Sequence, residues 1–255
     1  MPSQVAVQIP TFFKEINQLV LNPHPEPSLL TQFKNEAQKY VQSDNVDAYL
    51  AIGTLAGLEG NIDALQANYQ QAITEYSAKH AYILMLYAKC LTPYGFWEQV
   101  ADFHHQAYRL SPLKNYLDDA IYFYGLAGHF HQVASKLKTW DKVSPQVAHR
   151  FSQLAGDVVK FMDERNVSDA DLERLINVAL LLIRQHKLSI AASMINISLL
   201  EDEDSQWFHY GIPLHESVEK MVELDFELAD RIAEEKLPVN LTGYFVPTFE
   251  MVGGS

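Results

Sequence analysis

Four histidines are the residues of this chain whose types and spacing come closest to a chemical site. His104 and His105 are adjacent, and His129 and His131 are separated by one residue. Imidazole nitrogens bind zinc, so two such pairs brought together by stacked helices could hold an ion. Adjacent residues of a helix point about 100° apart, however, so His104 and His105 cannot readily face one ion. We therefore predict no metal site and expect these histidines to lie in the core or on the surface.

A single thiol and an acidic run are the remaining candidates for chemistry. Cys90 lies among apolar residues, and only Lys89 nearby could lower its pKa, so a buried structural thiol is favoured over a nucleophile. The run Glu201–Asp204 could attract a cation or a basic partner, but a solvated loop is the simpler interpretation. Phosphate loops, dinucleotide fingerprints, nucleophile elbows and zincin helices do not occur in the sequence. The sequence thus predicts no catalytic residue and no cofactor.

The balance of charge restricts the partners. The 255 residues include 32 acidic and 19 basic side chains, a net charge of -13. Such a field repels nucleic acid and anionic membranes and attracts basic proteins, although a negative surface also simply favours solubility. No apolar run approaches the ~20 residues of a membrane helix, and one cysteine fits a reducing compartment. We expect a cytoplasmic protein that binds neither nucleic acid nor membrane.

The elements that position these residues are predicted to be helices, because apolar residues recur along the chain at helical spacing. An N-terminal helical hairpin is predicted over residues 9–45, with helices from Ile9 to Leu21 and from Ser28 to about Gln42. The prolines between the two helices stop the first one, because proline lacks an amide donor and disfavours helix in the residue before it.

From Val46 to Pro145 the helical pattern repeats with a nearly constant period. A glycine marks the turn within each of three helix pairs, and these glycines lie 35 and 33 residues apart: Gly60, Gly95 and Gly128. In the first pair, Gly53 and Ala72 are small enough for the two helices to approach closely.

This pattern resembles the tetratricopeptide repeat, a helical hairpin of about 34 residues. The first copy carries the family's residue types in order: Tyr49, Ile52, Gly53, Gly60, Tyr69 and Ala72. Further copies follow over about Ala81–Pro112 and Lys114–Pro145. The resemblance implies an all-α fold, an α-α superhelix with additional non-repeat helices at both ends.

Helices without a clear repeat are predicted beyond Pro145. They cover Gln146–Met162, a long segment capped by Ser168, Leu188–Leu200 and Leu214–Glu235. In the last helix the residues expected to face inward are Val218, Met221, Val222, Leu224, Leu228 and Ile232. We expect further helices over residues 146–236, an extended tail over 237–255, no strand, and one helical-repeat domain over 1–255.

The resemblance also implies a partner-binding surface on the concave side of the stacked hairpins. The matching positions are Asp47, Leu50, Thr54, Tyr82, Met85, Lys89, Asn115, Asp118 and Tyr122. Their mixture of aromatic, thioether and polar groups suits an extended segment or a helix, unless elements of the C-terminal half fill the groove. The subclass that grips a C-terminal carboxylate is disfavoured, because Leu50 and Thr54 occupy positions where it needs Lys and Asn.

A protein-binding scaffold, adaptor or inhibitor is the function that these features favour. An immunity- or chaperone-like protein that neutralises a basic partner belongs to this class. The first alternative is a peptide or small-ligand sensor on the same scaffold, although the sequence shows no basic helix-turn-helix. The second is an enzyme on a helical scaffold that uses the histidines and carboxylates.

Overall fold

The structure is a computed structural model that describes residues 15–16, 19, 26–41, 46–76, 80–188, 190, 194–202 and 205–252. The chain forms two compact units, unit 1 at Met1–Leu91 and unit 2 at Thr92–Ser255. Helix is the main element of both units, as the apolar periodicity predicts. The helix predicted over Ile9–Leu21 lies outside the described residues, apart from three isolated positions.

Unit 1 contains four described helices: α1 Pro27–Val41, α2 Val46–Leu58, α3 Ile62–Glu75 and α4 His80–Leu91. Helix α2 packs against α1, α3 and α4. The first predicted helix pair is confirmed, since Gly60 turns the chain with a φ of 75° and Asn61 caps α3. Gly53 permits the close approach of α2 and α3, because a β-carbon there would lie 2.8 Å from the Tyr69 ring.

Unit 2 begins with helical hairpins. After a short 3-10 turn its first elements are α5 Trp97–Leu110, α6 Lys114–Leu126, α7 Phe130–Val143, α8 Leu154–Glu164 and α9 Asp169–Gln185. Each helix from α5 to α7 packs against the next one in the chain. Ser168 caps α9 as predicted, through a reciprocal pair of hydrogen bonds with Asp171. Along the described chain, no helix combines the length and apolar character that crossing a membrane requires.

Helix α9 packs against two turn glycines of unit 2. Gly95 and Gly128 have φ values of 71° and 85°, which L-residues with side chains rarely adopt. A β-carbon on Gly95 would lie 2.7 Å from Leu180, and one on Gly128 would lie 2.9 Å from Leu172. The absence of a side chain at both turns therefore lets α9 lie directly against them.

A three-stranded sheet in unit 2 contradicts the prediction that the chain contains no strand. Its order is β1-β2-β3, and the remaining elements of unit 2 are β1 Asn196–Glu201, β2 Gln206–Leu214, α10 Val218–Glu234, α11 Val239–Thr242 and β3 Phe245–Met251. Strand β1 pairs with β2 antiparallel, whereas β3 pairs with β2 in parallel. The fold is thus mostly helical with a small sheet.

One prediction about this region was wrong, because residues 196–200, which were predicted to be helical, belong to β1. The tail predicted to be extended over 237–255 contains the extended strand β3, preceded by the short helix α11. In β3 the side chains of Phe245, Pro247 and Phe249 are buried, and those between them are more exposed. This period-two burial is the pattern of a half-buried strand, and Phe208 of β2 lies opposite Phe245.

Two predicted helix boundaries also differ from the structure. Residues 146–153 form turns and irregular backbone, so the helix predicted from Gln146 begins only at Leu154. Leu214 ends β2, and α10 begins at Val218. In α10, Met221, Leu224 and Leu228 are buried as predicted, but Val218 and Val222 are exposed.

Candidate functional site

The predicted concave residues of unit 1 divide into core and surface positions. Leu50 and Thr54 are buried, and Thr54 Oγ1 donates to the Leu50 carbonyl at 2.8 Å, so neither lines an accessible surface. Tyr82 keeps 44% of its surface exposed, Lys89 is exposed, and Met85 is half-buried. Burial, and then the charge of Asp47, raises the pKa of Tyr82, which places Asp47 of α2 close to this part of α4.

Cys90 belongs to the core of unit 1. Its sulfur lies 3.3 Å from Thr54 Oγ1 and 3.2 Å from the Tyr69 hydroxyl. Burial raises the pKa of the thiol, so it stays protonated at neutral pH. This environment is that of a structural thiol and does not activate a nucleophile.

In unit 2 the segment 146–153 covers two of the three predicted concave residues. His149 Nε2 lies 3.0 Å from Asp118 Oδ1, and the Arg150 guanidinium lies 4.3 Å from the centroid of the Tyr122 ring. Phe151 also stacks on Tyr122, with ring centroids 6.0 Å apart. Residues of the segment 146–153, in the C-terminal half of the chain, therefore occupy part of the α6 surface that a partner was expected to contact. Asn115, the third predicted residue, is exposed.

His131 of unit 2 pairs with two carboxylates. His131 Nδ1 lies 2.8 Å from Asp169 Oδ1, and its Nε2 lies 3.1 Å from Asp163 Oδ1. Burial opposes the charged form of His131, but these hydrogen bonds outweigh it and raise its pKa. His105 is a half-buried histidine whose pKa burial lowers.

His104 is held in its neutral form. Its ring stacks on Phe123 with centroids 5.4 Å apart, and burial lowers its pKa to about 4. Its nearest carboxylate oxygen is Asp119 Oδ2, 3.5 Å from Nδ1. Burial and the neighbouring Asp118 raise the pKa of Asp119 to about 6. Around neutral pH the buried imidazole is therefore uncharged.

A second histidine site joins residues that the sequence does not associate. His129 Nε2 lies 3.0 Å from Glu173 Oε2, and Glu98 completes a group whose ligand atoms all lie within 4.8 Å of one another. Burial and then the Glu173 carboxylate raise the pKa of Glu98. The three residues are 31 and 44 positions apart, so spacing gives no signal for them. The one sequence clue is that His129 follows the turn glycine Gly128 directly.

An exposed apolar surface of unit 2 lies along α10. Phe226 is 72% exposed. Successive residues of an α-helix are rotated by about 100° around its axis, so Phe226 and four smaller residues lie within an arc of about 80° on one side of α10. This stripe, called the α10 face below, consists of Val218, Val222, Phe226, Ala229 and Ala233, all exposed. The sequence prediction assigned two of these positions to the core, because apolar spacing alone cannot tell a buried stripe from an exposed one.

An unbroken row of acidic residues runs along one edge of the α10 face. This acidic ridge consists of Glu219, Glu223, Glu227, Asp230 and Glu234. Lys220 pairs with Glu223, and Arg231 pairs with Glu227, on the side of the ridge away from the stripe. Unit 2 holds 24 acidic and 14 basic residues, a net charge of -10, so most of the negative charge of the chain lies in this unit.

The opposite side of α10 fixes the helix to the rest of unit 2. Met221, Leu224 and Leu228 are buried, and Asp225 Oδ1 accepts a hydrogen bond from the Phe249 amide of β3 at 3.1 Å. Helix α10 therefore has two apolar sides. One is buried in unit 2, and the other is the exposed α10 face.

Comparison of the chain with models of known protein families, with curated proteins and with solved structures gave no match.

Proposed function

We propose that the protein is a protein-binding scaffold that captures a basic amphipathic helix of another protein on the α10 face. The observation that carries this proposal is the exposed stripe centred on Phe226, bordered along one edge by the acidic ridge. A helix with one apolar side and basic residues beside it matches both features, since helix-in-groove recognition uses apolar anchors at helical spacing.

The apolar stripe supplies the affinity in this proposal. Burying a phenylalanine or valine side chain fully contributes roughly 1.5–3 kcal/mol, so Phe226 and Val222 are the expected anchors. The acidic ridge supplies selectivity and faster encounter, because complementary charge steers a basic partner and opposes an acidic one. It also disfavours a second copy of this chain, which would bring two negatively charged ridges together.

A fluorescein-labelled synthetic helix with leucines on one face and lysines on the other tests the surface directly. We expect fluorescence anisotropy to show binding to the full chain, weakened at least about tenfold in Val222→Ser/Phe226→Ser. The matched control is Leu110→Ser/Leu113→Ser, two exposed leucines elsewhere in unit 2, which should bind like the wild type. A peptide with glutamate in place of lysine should not bind.

The same three proteins, used as baits in the native cell extract, identify the natural partner. The proposal requires a protein that wild type and the Leu110→Ser/Leu113→Ser control retain and that Val222→Ser/Phe226→Ser loses, with a basic helical segment at its contact. Equal retention by all three baits would assign the interaction to another surface. Sedimentation of the wild type as a dimer dissociated by Phe226→Ser would instead identify a second copy as the occupant.

The class of scaffold proposed is a tetratricopeptide-like repeat protein acting as an adaptor or inhibitor. Support comes from helices that pack against their sequence neighbours within each unit. Further support comes from turn glycines with positive φ at all three predicted positions: Gly60, Gly95 and Gly128. Such repeats present partner-binding surfaces rather than catalytic ones.

A second candidate surface for the same function lies on α2 and α4 of unit 1. Asp47, Tyr82, Met85 and Lys89 remain on this side once Leu50 and Thr54 are assigned to the core. Partner capture that is lost in Tyr82→Ala/Met85→Ala but retained in Val222→Ser/Phe226→Ser would favour this surface. The α10 face is preferred because its apolar residues are more exposed and the row of residues along its edge is entirely acidic.

A further inference from the structure

We propose that Glu98, His129 and Glu173 form a binding site for a divalent transition-metal ion in unit 2, with Zn²⁺ as the best match. This site is separate from the α10 face, so the two proposals stand or fall independently. One imidazole nitrogen and two carboxylates offer ligand atoms that all lie within 4.8 Å of one another. Three protein ligands leave a further position for water or another ligand.

Three separate helical elements bring these ligands together. Glu98 lies in the first turn of α5, His129 directly precedes α7, and Glu173 lies on α9. A β-carbon on Gly128 would lie 3.3 Å from the Glu173 backbone nitrogen, so the bare turn lets α9 carry Glu173 up to His129. A metal at this point would link the starts of α5 and α7 to α9.

The distances suit zinc after a small movement of one side chain. With metal–ligand bonds near 2.1 Å, two ligand atoms of a tetrahedral zinc ion lie roughly 3.3–3.5 Å apart. His129 Nε2 and Glu173 Oε2 are 3.0 Å apart, which is close to this value. Glu98 is exposed, so its carboxylate can rotate to close the remaining distance.

The surroundings of the site hold its two inner ligands in place. His129 is only 4% exposed, and the Gln132 amide nitrogen lies 3.3 Å from its second ring nitrogen, Nδ1. Turning this amide by 180° would place its carbonyl oxygen there, where it would accept a hydrogen bond from Nδ1–H of a metal-bound ring. Asn177 Nδ2 donates to Glu173 Oε1 at 3.3 Å, leaving Oε2 directed at His129. Such outer hydrogen bonds orient ligands and are typical of metal sites in proteins. Asp102, which accepts a hydrogen bond from Tyr124, lies one helical turn beyond Glu98 and adds negative charge.

The donor set determines which metal fits. An imidazole ligand favours zinc and neighbouring transition metals over Mg²⁺ and Ca²⁺, which prefer sites made entirely of oxygen. The site contains no thiolate, so a strongly sulfur-seeking ion such as Cu⁺ is not favoured. On binding, the Nε2–metal bond replaces the hydrogen bond between His129 and Glu173. A doubly protonated ring would release its Nε2 proton to solvent, and a neutral ring would carry its single proton at Nδ1.

Titration of the chelator-treated full chain with ZnCl2, followed by calorimetry, tests the site. We expect one Zn²⁺ per chain in the wild type and an affinity at least about tenfold lower in Glu98→Gln. Because Glu98 is exposed, this variant should fold normally. Glu219→Gln is the matched control, since Glu219 is an exposed glutamate at the second position of α10, as Glu98 is in α5.

Cobalt gives a second readout that does not depend on folding stability. Co²⁺ bound through His129 and the carboxylates should show a visible d–d absorption band that Glu98→Gln weakens and Glu219→Gln preserves. Equal zinc affinity in wild type, Glu98→Gln and Glu219→Gln would overturn the proposal, as would the failure of the wild type to bind stoichiometrically. Either result would identify the contact between His129 and Glu173 as an ordinary hydrogen bond.

Discussion

The backbone nitrogen of Glu173 lies 3.3 Å from the point where a side chain on Gly128 would begin. Helix α9 is therefore packed against a turn that only glycine can occupy. This contact determines how closely α9, and with it Glu173, approaches His129, the residue that follows Gly128 in the chain.

Replacing Gly128 by alanine should destabilise the protein strongly. The substitution forces a β-carbon to within 2.9 Å of Ile176 and Leu172 at a φ of 85°. We expect a loss of roughly 2–4 kcal/mol in the free energy of unfolding, measured by urea denaturation. Gly60→Ala is the control, because φ is 75° there but a β-carbon would have no neighbour within 4 Å. It should lose only about 1–2 kcal/mol, and equal losses would show that packing against α9 is unimportant.

Gly156→Ala should change stability in the opposite direction. Gly156 lies inside α8, its φ is not positive, and a β-carbon there would meet nothing within 4 Å. Alanine is favoured over glycine in a helix by roughly 0.5–1 kcal/mol, so thermal and urea unfolding should both show a gain of that order. A loss of stability would mean that the surface around Gly156 is occupied in solution.

The neutral state of His104 predicts a loss of stability in acid. Its pKa is about 4 in the folded protein, below its ordinary value of 6.5, so the unfolded chain binds a proton more readily. The contribution of the neutral, buried His104 to the free energy of unfolding is thus fully present above pH 6.5. It is lost as the pH falls toward 4, by up to about 3 kcal/mol. Urea unfolding of the wild type and His104→Gln across this range should show a steeper acid loss for the wild type.

Asp119 should oppose this effect over nearly the same range. Its folded pKa is about 6 against an ordinary 3.8, so the folded protein gains stability as the pH falls from 6 to 3.8. Its side chain is 38% exposed, so solvent screening makes this gain smaller than the loss from His104. Asp119→Asn should therefore be more sensitive to acid than the wild type. An identical pH profile for the two proteins would contradict the raised pKa.

Ser168 should contribute to the stability of α9. Its side chain and that of Asp171 satisfy two backbone donors at the helix start, with Ser168 Oγ 3.2 Å from the Asp171 amide. Ser168→Ala removes one of these bonds and should cost about 1 kcal/mol in urea unfolding. Ser217→Ala at the start of α10 is a comparison site with a similar single cap bond. A change confined to Ser217→Ala would show that the cap of α9 is redundant.

Local features of the fold could be predicted from the sequence, and contacts between distant segments could not. The turns at Gly60, Gly95 and Gly128 and the cap at Ser168 each depend on a few neighbouring residues. The sheet was missed because β2 meets β3 across 37 positions, from Phe208 to Phe245, and neither segment alone shows which strand it pairs with. Residues 188–200 also carry apolar residues at spacings compatible with a helix.

The candidate sites, too, could be predicted only where they depend on residues close together in the sequence. The net charge pointed to a basic partner, but the α10 face could not be located, because apolar residues cover two sides of α10 and only packing selects the buried one. His129 was a candidate because it lies two positions from His131 in the sequence, whereas its partner Glu173 lies 44 positions away on another helix. Leu50 and Thr54 were assigned to the surface by resemblance, and the packing of α2 against three helices buries them.

Parallel pairing makes completion of unit 2 depend on the order of synthesis. Strand β2 emerges from the ribosome before α10, α11 and β3, so one edge of β2 remains unpaired until residue 251 has been made. During that interval Phe208 and Tyr210 lack part of their cover, and an open strand edge invites pairing with other chains. Nascent chains that stall before Phe245 should therefore depend on chaperones that shield exposed strands, whereas full-length chains close the edge themselves.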